Sequence, residues 1–269
     1  MDVAAFSSAC PGRANEDFAT WNDRVVVLLD GAGMPSELRA PCVHGVAWFA
    51  RTLGTALCSK AVGSVALPDA LAQAIEYTAD LHRGTCFVDD PLSPSATLAV
   101  LRLDRGVVDW LLLGDCTLVI ERSHSVEAIS DKRLAAVAKG ERAALRAAPV
   151  ASPERDRLHV RLVQAERALR NRPGGYWVVA ADSHAAYESL HGSFAAQDVT
   201  RLALLSDGAA RLVSPFNQIG WAELLTILDG QGPERLIELV RQAELQDSAR
   251  TRWARSKVHD DATVAYIRL

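Results

Sequence analysis

The sequence lacks the features that mark membrane, secreted and nucleic-acid-binding proteins. No stretch reaches the roughly 18 consecutive apolar residues that a membrane helix needs. The first residues include Asp2 and no basic segment, unlike a signal peptide. A formal net charge of −4 and a pI near 6.0 argue against nucleic-acid binding. We therefore expect a soluble cytoplasmic protein with neither a membrane nor a nucleic-acid partner.

Cysteines are few, and none forms a C-x-x-C pair. Their odd number and scattered positions argue against a disulfide framework and against a zinc ribbon, and favour a reducing compartment. The five are Cys10, Cys42, Cys58, Cys86 and Cys116.

What the sequence does contain is the composition of an ordinary globular protein. Apolar residues make up 49% and charged residues 23% of the 269 positions, enough for a substantial core. We find no internal repeat and no low-complexity linker. A segment rich in Ala, Arg and Glu, residues 131–170, is predicted to be helical and contains a proline break at 148–153.

Strands and helices alternate in blocks along the chain. This pattern favours an α+β sandwich of helices over antiparallel sheets rather than a βαβ array. Predicted strands cover 2–8, 24–29, 95–103, 107–113, 117–121, 176–180, 202–206 and 263–267, and predicted helices begin near 42, 68, 153, 221 and 233.

The most informative stretch is the apolar run at 25–29, which leads directly into Asp30 and Gly31. The same order recurs where the strand at 202–206 leads into Asp207 and Gly208. A carboxylate at the exit of a buried strand is costly unless a cation meets it. No Lys or Arg lies beside both aspartates in the sequence, so we predict a shared metal ion.

Further aspartates lie at predicted strand ends. Carboxylates with little His or Cys nearby favour Mg²⁺ or Mn²⁺ over Zn²⁺. Two such ions about 4 Å apart can bridge a water, lower its pKa and direct it at phosphorus. Taken singly, each Asp also fits an ordinary turn. The set is Asp17, Asp30, Asp115, Asp207 and Asp260, with the Gly31 carbonyl as a further oxygen ligand.

Six short motifs in order resemble the type 2C metal-dependent serine/threonine protein phosphatases. Each is unspecific alone, but together they span nearly the whole chain. They are Asn15-Glu16-Asp17, Asp30-Gly31, Ser95-Ala96-Thr97, Gly114-Asp115, Ser206-Asp207-Gly208 and Asp260-Asp261-Ala262-Thr263.

This resemblance implies a four-layer αββα sandwich, two antiparallel sheets flanked by helices, in a single domain over 1–269 with a helical insertion or flap at about 131–172. It implies two Mn²⁺ or Mg²⁺ ions and the third ion that some members hold. It also implies hydrolysis of phosphoserine and phosphothreonine in proteins, such as the substrates of a serine/threonine kinase; we expect a monomer. By this likeness Asp17, Asp30, Gly31, Asp207 and Asp260 hold two metals, and Asp115 helps to hold the third.

The sequence departs from the family pattern at several positions. Ala32 stands where many members have the His that acts as general acid, and His44 is a substitute only if it does not pack against Trp48. Arg13 precedes Asp17 by four residues instead of the usual five, which leaves a phosphate-binding role and a surface role equally open. Asp261 stands where Asn is usual.

Other functions fit less well. Gly31-Ala32-Gly33 lacks the third glycine of a dinucleotide fingerprint, because Ser36 stands there. The remaining alternatives are a catalytically weak or inactive phosphatase-like binding module and a small-molecule phosphatase. The arginines of 131–170 can steer an acidic phosphoprotein or simply form a solvated surface.

Overall fold

The described strands form two antiparallel sheets of five strands each. The computed structural model describes residues 1–35, 38, 42–123, 125–149, 152–253, 255 and 257–269; Ser36 lies outside them. The strands are β1 Asp2–Ser8, β2 Phe18–Trp21, β3 Val25–Gly31, β4 Ala96–Asp104, β5 Val107–Leu113, β6 Thr117–Arg122, β7 Ser125–Ser130, β8 Leu190–Ala195, β9 Val199–Leu205 and β10 Ala262–Arg268. One sheet has the order β1-β10-β9-β6-β7 and the other β2-β3-β4-β5-β8.

Strand β3 is buried on both faces, which explains its unbroken apolar run. Val25, Val27 and Leu29 pack under the first helical layer. Val26 and Leu28 face the core between the two sheets. Because successive side chains of a strand point to opposite faces, a single strand contributes to two cores.

Helices cover the outer face of each sheet. The helices are α1 Gly45–Lys60, α2 Leu67–His82, α3 Arg133–Ala136, α4 Lys139–Ala147, α5 Pro153–Ala168 and α6 Trp221–Gln246. Helices α1 and α2 pack on the sheet that contains β3 through residues such as Phe49 and Ile75. Helix α6 packs on the other sheet through residues such as Leu224 and Val240, and it kinks at Gly232, where φ is +87°.

The predicted αββα sandwich is therefore confirmed, with local corrections. The predicted strand at 176–180 is wrong, since the chain there makes only isolated bridges, Ala96 with Val179 and Arg170 with Tyr176. Sequence periodicity also missed β2, β7 and β8. All three are edge strands with largely exposed or half-buried residues, so they lack a strong apolar alternation.

Arginines attach the segment that holds α3 to α5 to the rest of the protein. Arg167 is buried and donates hydrogen bonds to Ser95 Oγ (2.7 Å) and to the carbonyl of Ala32 (2.9 Å), just after β3. Arg170 donates to the carbonyl of Ser93 (2.9 Å). Arg155 donates to the carbonyls of Leu145, Ala148 and Arg255. These arginines join backbone of the segment to backbone elsewhere in the protein.

No helix among the described residues is both long and apolar enough to cross a membrane.

Gly208 is required where the loop after β9 meets the loop before β10. A Cβ atom here would lie 1.9 Å from the carbonyl oxygen of Asp261, and backbone cannot move aside as a flexible side chain can.

We expect Gly208→Ala to lower the free energy of unfolding by about 1–3 kcal/mol, measured by urea denaturation. Gly230→Ala is the matched control, because its Cβ would meet nothing within 4 Å inside α6. It should stabilise the protein by up to about 1 kcal/mol. Equal effects of both changes would contradict the close approach at Gly208.

Candidate metal centre

All five predicted aspartates lie at strand ends on one edge of the sandwich. Asp17 directly precedes β2, and Asp30 is the penultimate residue of β3. Asp115 lies between β5 and β6, Asp207 follows β9, and Asp260 precedes β10. The antiparallel pairing explains this convergence. Phe18 pairs with Leu29, Leu29 with Leu98, and Leu98 with Leu113, so these ends share one edge.

A direct contact between the two sheets lies at this edge. The backbone N–H of Asp207 donates to Asp30 Oδ2 at 3.2 Å. Burial raises the pKa of Asp30 well above its usual value, and the charges of Asp17 and Asp207 raise it further. Burial, together with the charge of Asp260, also raises the pKa of Asp207. The protein thus places acids from different strands so close that they repel one another.

Asp17 is the most strongly buried acid of the group, 7% exposed. Neither of its carboxylate oxygens has a hydrogen-bond partner among the described residues. Its backbone N–H donates to Asn15 Oδ1 (3.1 Å), and Asn15 in turn donates to Ser7 Oγ (2.7 Å), which fixes the loop. Burial, followed by the charge of Asp261, raises the pKa of Asp17 to about 7. Two orphaned buried carboxylate oxygens are costly without a cation.

Asp115 shares this environment. Burial and the charge of Asp207 raise the pKa of Asp115 to about 7. The neighbouring Cys116 is fully buried with its thiol 3.1 Å from Thr97 Oγ1, so it packs in the core.

Asp260 differs from the other acids because two cations bind it. Arg211 Nη2 donates to Asp260 Oδ2 at 3.0 Å, and Lys257 Nζ donates to Oδ1 at 2.9 Å. Arg211 is buried and also pairs with Glu244, which is fully buried on α6. Sequence analysis missed Arg211 and Lys257. The available signal was their spacing, four residues after Asp207 and three before Asp260.

Asp261, which stands where Asn is usual in the family, accepts hydrogen bonds from backbone N–H groups. Its Oδ1 accepts from the N–H of Cys10 (2.6 Å) and its Oδ2 from the N–H of Glu16 (2.7 Å). It therefore clamps the loop between β1 and β2, which carries Asp17, against the start of β10.

Two cavities flank Asp260; helix α5 lines both, whereas α4 lines only the smaller one. One of about 290 Å³ is lined by Arg142, Arg146, His159, Asp207, Arg211 and Asp260 among others. The other, of about 670 Å³, is lined by Arg13, Glu16, Gly31, His159, Lys257 and Asp260 among others. His159 of α5, absent from the sequence prediction, borders both.

The remaining predicted residues have distinct positions. Arg13 is exposed at the rim of the larger cavity, which allows a phosphate-binding role without establishing one. His44 stacks on Trp48 with ring centroids 4.3 Å apart. The sequence analysis gave this packing as the alternative to a role of His44 as general acid.

The donor set fits hard divalent cations. Asp17, Asp30, Asp115 and Asp207 supply carboxylate oxygens that raise one another's pKa values, and Gly31 supplies a carbonyl at the same edge. Oxygen-only sites of this kind suit Mg²⁺ or Mn²⁺. At Asp260, Arg211 and Lys257 would compete with such a cation for the carboxylate oxygens.

Solved structures with this architecture are bacterial phosphatases. PppA of Pseudomonas aeruginosa, described as a key regulatory component of T6SS, is 18% identical, covering 99% of this chain and 96% of that chain with a TM-score of 0.57. The serine/threonine phosphatase PstP/Ppp of Mycobacterium tuberculosis is 17% identical, covering 100% and 98% with a TM-score of 0.59. A catalytic domain of PstP in complex with two manganese ions is 18% identical, covering 98% and 96% with a TM-score of 0.58.

At these identities the solved structures establish the fold, which is that of the PPM phosphatases. The family model for Protein phosphatase 2C matches residues 12–248. The chain therefore belongs to the protein phosphatase 2C family. No curated protein matches it in sequence.

The ion pairs of Asp260 generate a prediction about metal affinity. Lys257→Met removes a cation that competes for a carboxylate of the site, and keeps most of the side chain. If Asp260 is a ligand, Mn²⁺ should bind about three- to tenfold more tightly, measured by calorimetric titration of the metal-free protein. Lys132→Met, an exposed lysine with no contact to Asp260, should leave the affinity unchanged. An unchanged affinity in Lys257→Met would remove Asp260 from the ligand set.

Proposed function

We propose that this protein is a Mn²⁺- or Mg²⁺-dependent phosphomonoester hydrolase that removes phosphate from phosphoserine and phosphothreonine in proteins. The observation that carries the proposal is the convergence of strand-end carboxylates around Asp17, whose buried oxygens have no partner among the described residues. The family and the manganese-bound relative support the metal dependence.

The metal ligands that we propose are those of the sequence analysis. Asp17, Asp30, Asp207 and the Gly31 carbonyl hold two ions with Asp260, and Asp115 contributes to a third. When bound, the ions supply Lewis-acid activation of a water and of the phosphoryl group. The chain's own part is to fix these oxygens. Asp261 clamps the loop of Asp17, and the Asp207 N–H orients Asp30.

The substrate class follows from the surroundings of Asp260. The phosphoryl group enters through the larger cavity, where exposed Arg13 offers a guanidinium for ground-state binding. The segment 131–172 acts as a flap of the single domain, because residues of α5 line both cavities and residues of α4 line the smaller one. A walled cleft with arginines suits a phosphorylated protein segment better than a small free phosphoester.

A second candidate is a catalytically weak or inactive regulatory module. The specific observation in its favour is that Arg211 and Lys257 already neutralise Asp260. Turnover of a phosphopeptide with added Mn²⁺ separates the two. Turnover that a chelator abolishes supports the hydrolase, whereas metal binding without turnover of any phosphopeptide supports the module.

Asp17→Asn should separate stability from function. In metal-free protein the change removes a buried, repelled charge, so the melting temperature should rise by a few degrees, about 1 kcal/mol or more. The upward shift that Mn²⁺ produces in the wild type should disappear, and turnover should fall at least about a hundredfold. Asp2→Asn is the control, because Asp2 is an exposed acid at the start of β1. This change should leave the melting temperature, the shift produced by Mn²⁺ and the turnover as they are in the wild type. A stable Asp17→Asn variant with normal turnover would refute the metal assignment.

The exposed arginines of the flap allow a test of substrate steering. Arg146, Arg157 and Arg161 are exposed, unlike the buried Arg155 and Arg167. Replacing the three exposed residues with Gln should leave hydrolysis of an aryl phosphate intact. It should lower kcat/KM for an acidic phosphopeptide by about threefold or more, with a larger loss at low salt because screening is weaker. Equal loss on both substrates would indicate a structural role, and no loss on either would indicate an ordinary solvated surface.

A further inference from the structure

Two cysteines and two histidines meet at one end of the α1–α2 helix pair, away from the aspartates. Cys42 and His44 immediately precede α1, His82 is the last residue of α2, and Cys86 follows it in the next turn. One ligand atom from each of the four lies within 4.8 Å of all the others. The sequence analysis argued against a disulfide framework and against a zinc ribbon, whose cysteine pairs are local in sequence.

The distances match a tetrahedral zinc site. Zinc bonds of about 2.3 Å to sulfur and about 2.0–2.1 Å to nitrogen imply edges of about 3.8 Å between sulfurs and about 3.6 Å between sulfur and nitrogen. The two sulfurs lie 3.3 Å apart. Cys42 Sγ is 3.6 Å from His82 Nδ1 and 3.8 Å from His44 Nδ1, and Cys86 Sγ is 3.4 Å from His44 Nδ1. A disulfide would need the sulfurs at about 2.0 Å.

The surroundings hold these side chains in place. Both cysteines are 8% exposed and His82 is 2% exposed. The ring of Trp48 stacks on His44 and lies 5.2 Å from the ring of His82. Within the described residues, Nε2 of His82 has no hydrogen-bond partner, whereas its Nδ1 faces the sulfur of Cys42 and is the nitrogen placed to act as a ligand.

The donors here also differ in kind from those of the aspartate centre. Thiolates and imidazoles select zinc, whereas carboxylate and carbonyl oxygens select magnesium or manganese. Four protein ligands leave no open position, which is the pattern of a structural zinc site.

We propose that Cys42, His44, His82 and Cys86 bind one Zn²⁺ ion in a structural site separate from the aspartate centre. The ion ties the start of α1 to the end of α2. Through α1 and α2 it stabilises the helical layer that packs on β3, the strand that carries Asp30.

Zinc content of the full-length protein, purified without a metal-binding tag and dialysed against metal-free buffer, is the first test. We expect about one zinc per chain in the wild type, and a loss of about tenfold or more in the double variant Cys42→Ala/Cys86→Ala. The matched control is Cys58→Ala, a buried thiol that contacts Asn22, and it should retain its zinc. Asp207→Asn should also retain zinc, so that failure of the phosphatase proposal is distinguishable from failure of this one.

A second readout needs no variant to fold. Co²⁺ added to metal-free wild-type protein should give thiolate-to-cobalt charge-transfer absorption, which a carboxylate centre cannot produce, and added Zn²⁺ should abolish it. Absence of this absorption, or a zinc content that is the same in the wild type and the double variant, would overturn the proposal. A disulfide between Cys42 and Cys86 in metal-free protein that persists under reducing conditions would also overturn it.

Discussion

The aspartate cluster imposes the constraint on which much of this structure depends. Acids from β3, from the loops after β5 and β9, and from the loop before β2 converge where the two sheets meet. Burial and mutual repulsion raise the pKa values of Asp17 and Asp115 to about 7. Such an arrangement lowers the stability of the fold unless a cation neutralises it or hydrophobic burial elsewhere offsets its cost.

Rigid neighbours maintain the cluster despite this repulsion. Asp261 accepts two backbone N–H groups, and Ser206 Oγ accepts the N–H of Thr263 at 2.9 Å, which joins β9 to β10 beside Asp207. Behind them, Glu244 binds Arg211 and Arg241 and lies 2.7 Å from His259 Nδ1. These contacts lock the loops while leaving the oxygens of Asp17 free of hydrogen bonds to described residues. Pre-organisation of this kind is what a metal site requires.

The fold and the acids could be predicted because both leave local signals. The run at 25–29 is continuous because β3 is buried on both faces, and each Asp except Asp17 lies at the end of a strand that the sequence predicts. The ion pairs of Asp260 were not predictable, since which of 29 Lys and Arg residues folds back onto it depends on loop geometry. Five of the eight arginines between residues 131 and 170 bind carbonyls or carboxylates of the protein, a distinction that composition cannot make.

The cysteine and histidine cluster escaped the sequence analysis for a related reason. Its members come in two pairs, Cys42 with His44 and His82 with Cys86, and neither pair alone has the spacing of a zinc motif. Only the antiparallel packing of α1 against α2 brings the pairs together. The two clusters are also neighbours along the chain, because Asp30 lies near the end of β3 and Cys42 lies shortly before α1. Their donors differ chemically, which allows each cluster to select its own ion, so loading one site need not compete with loading the other.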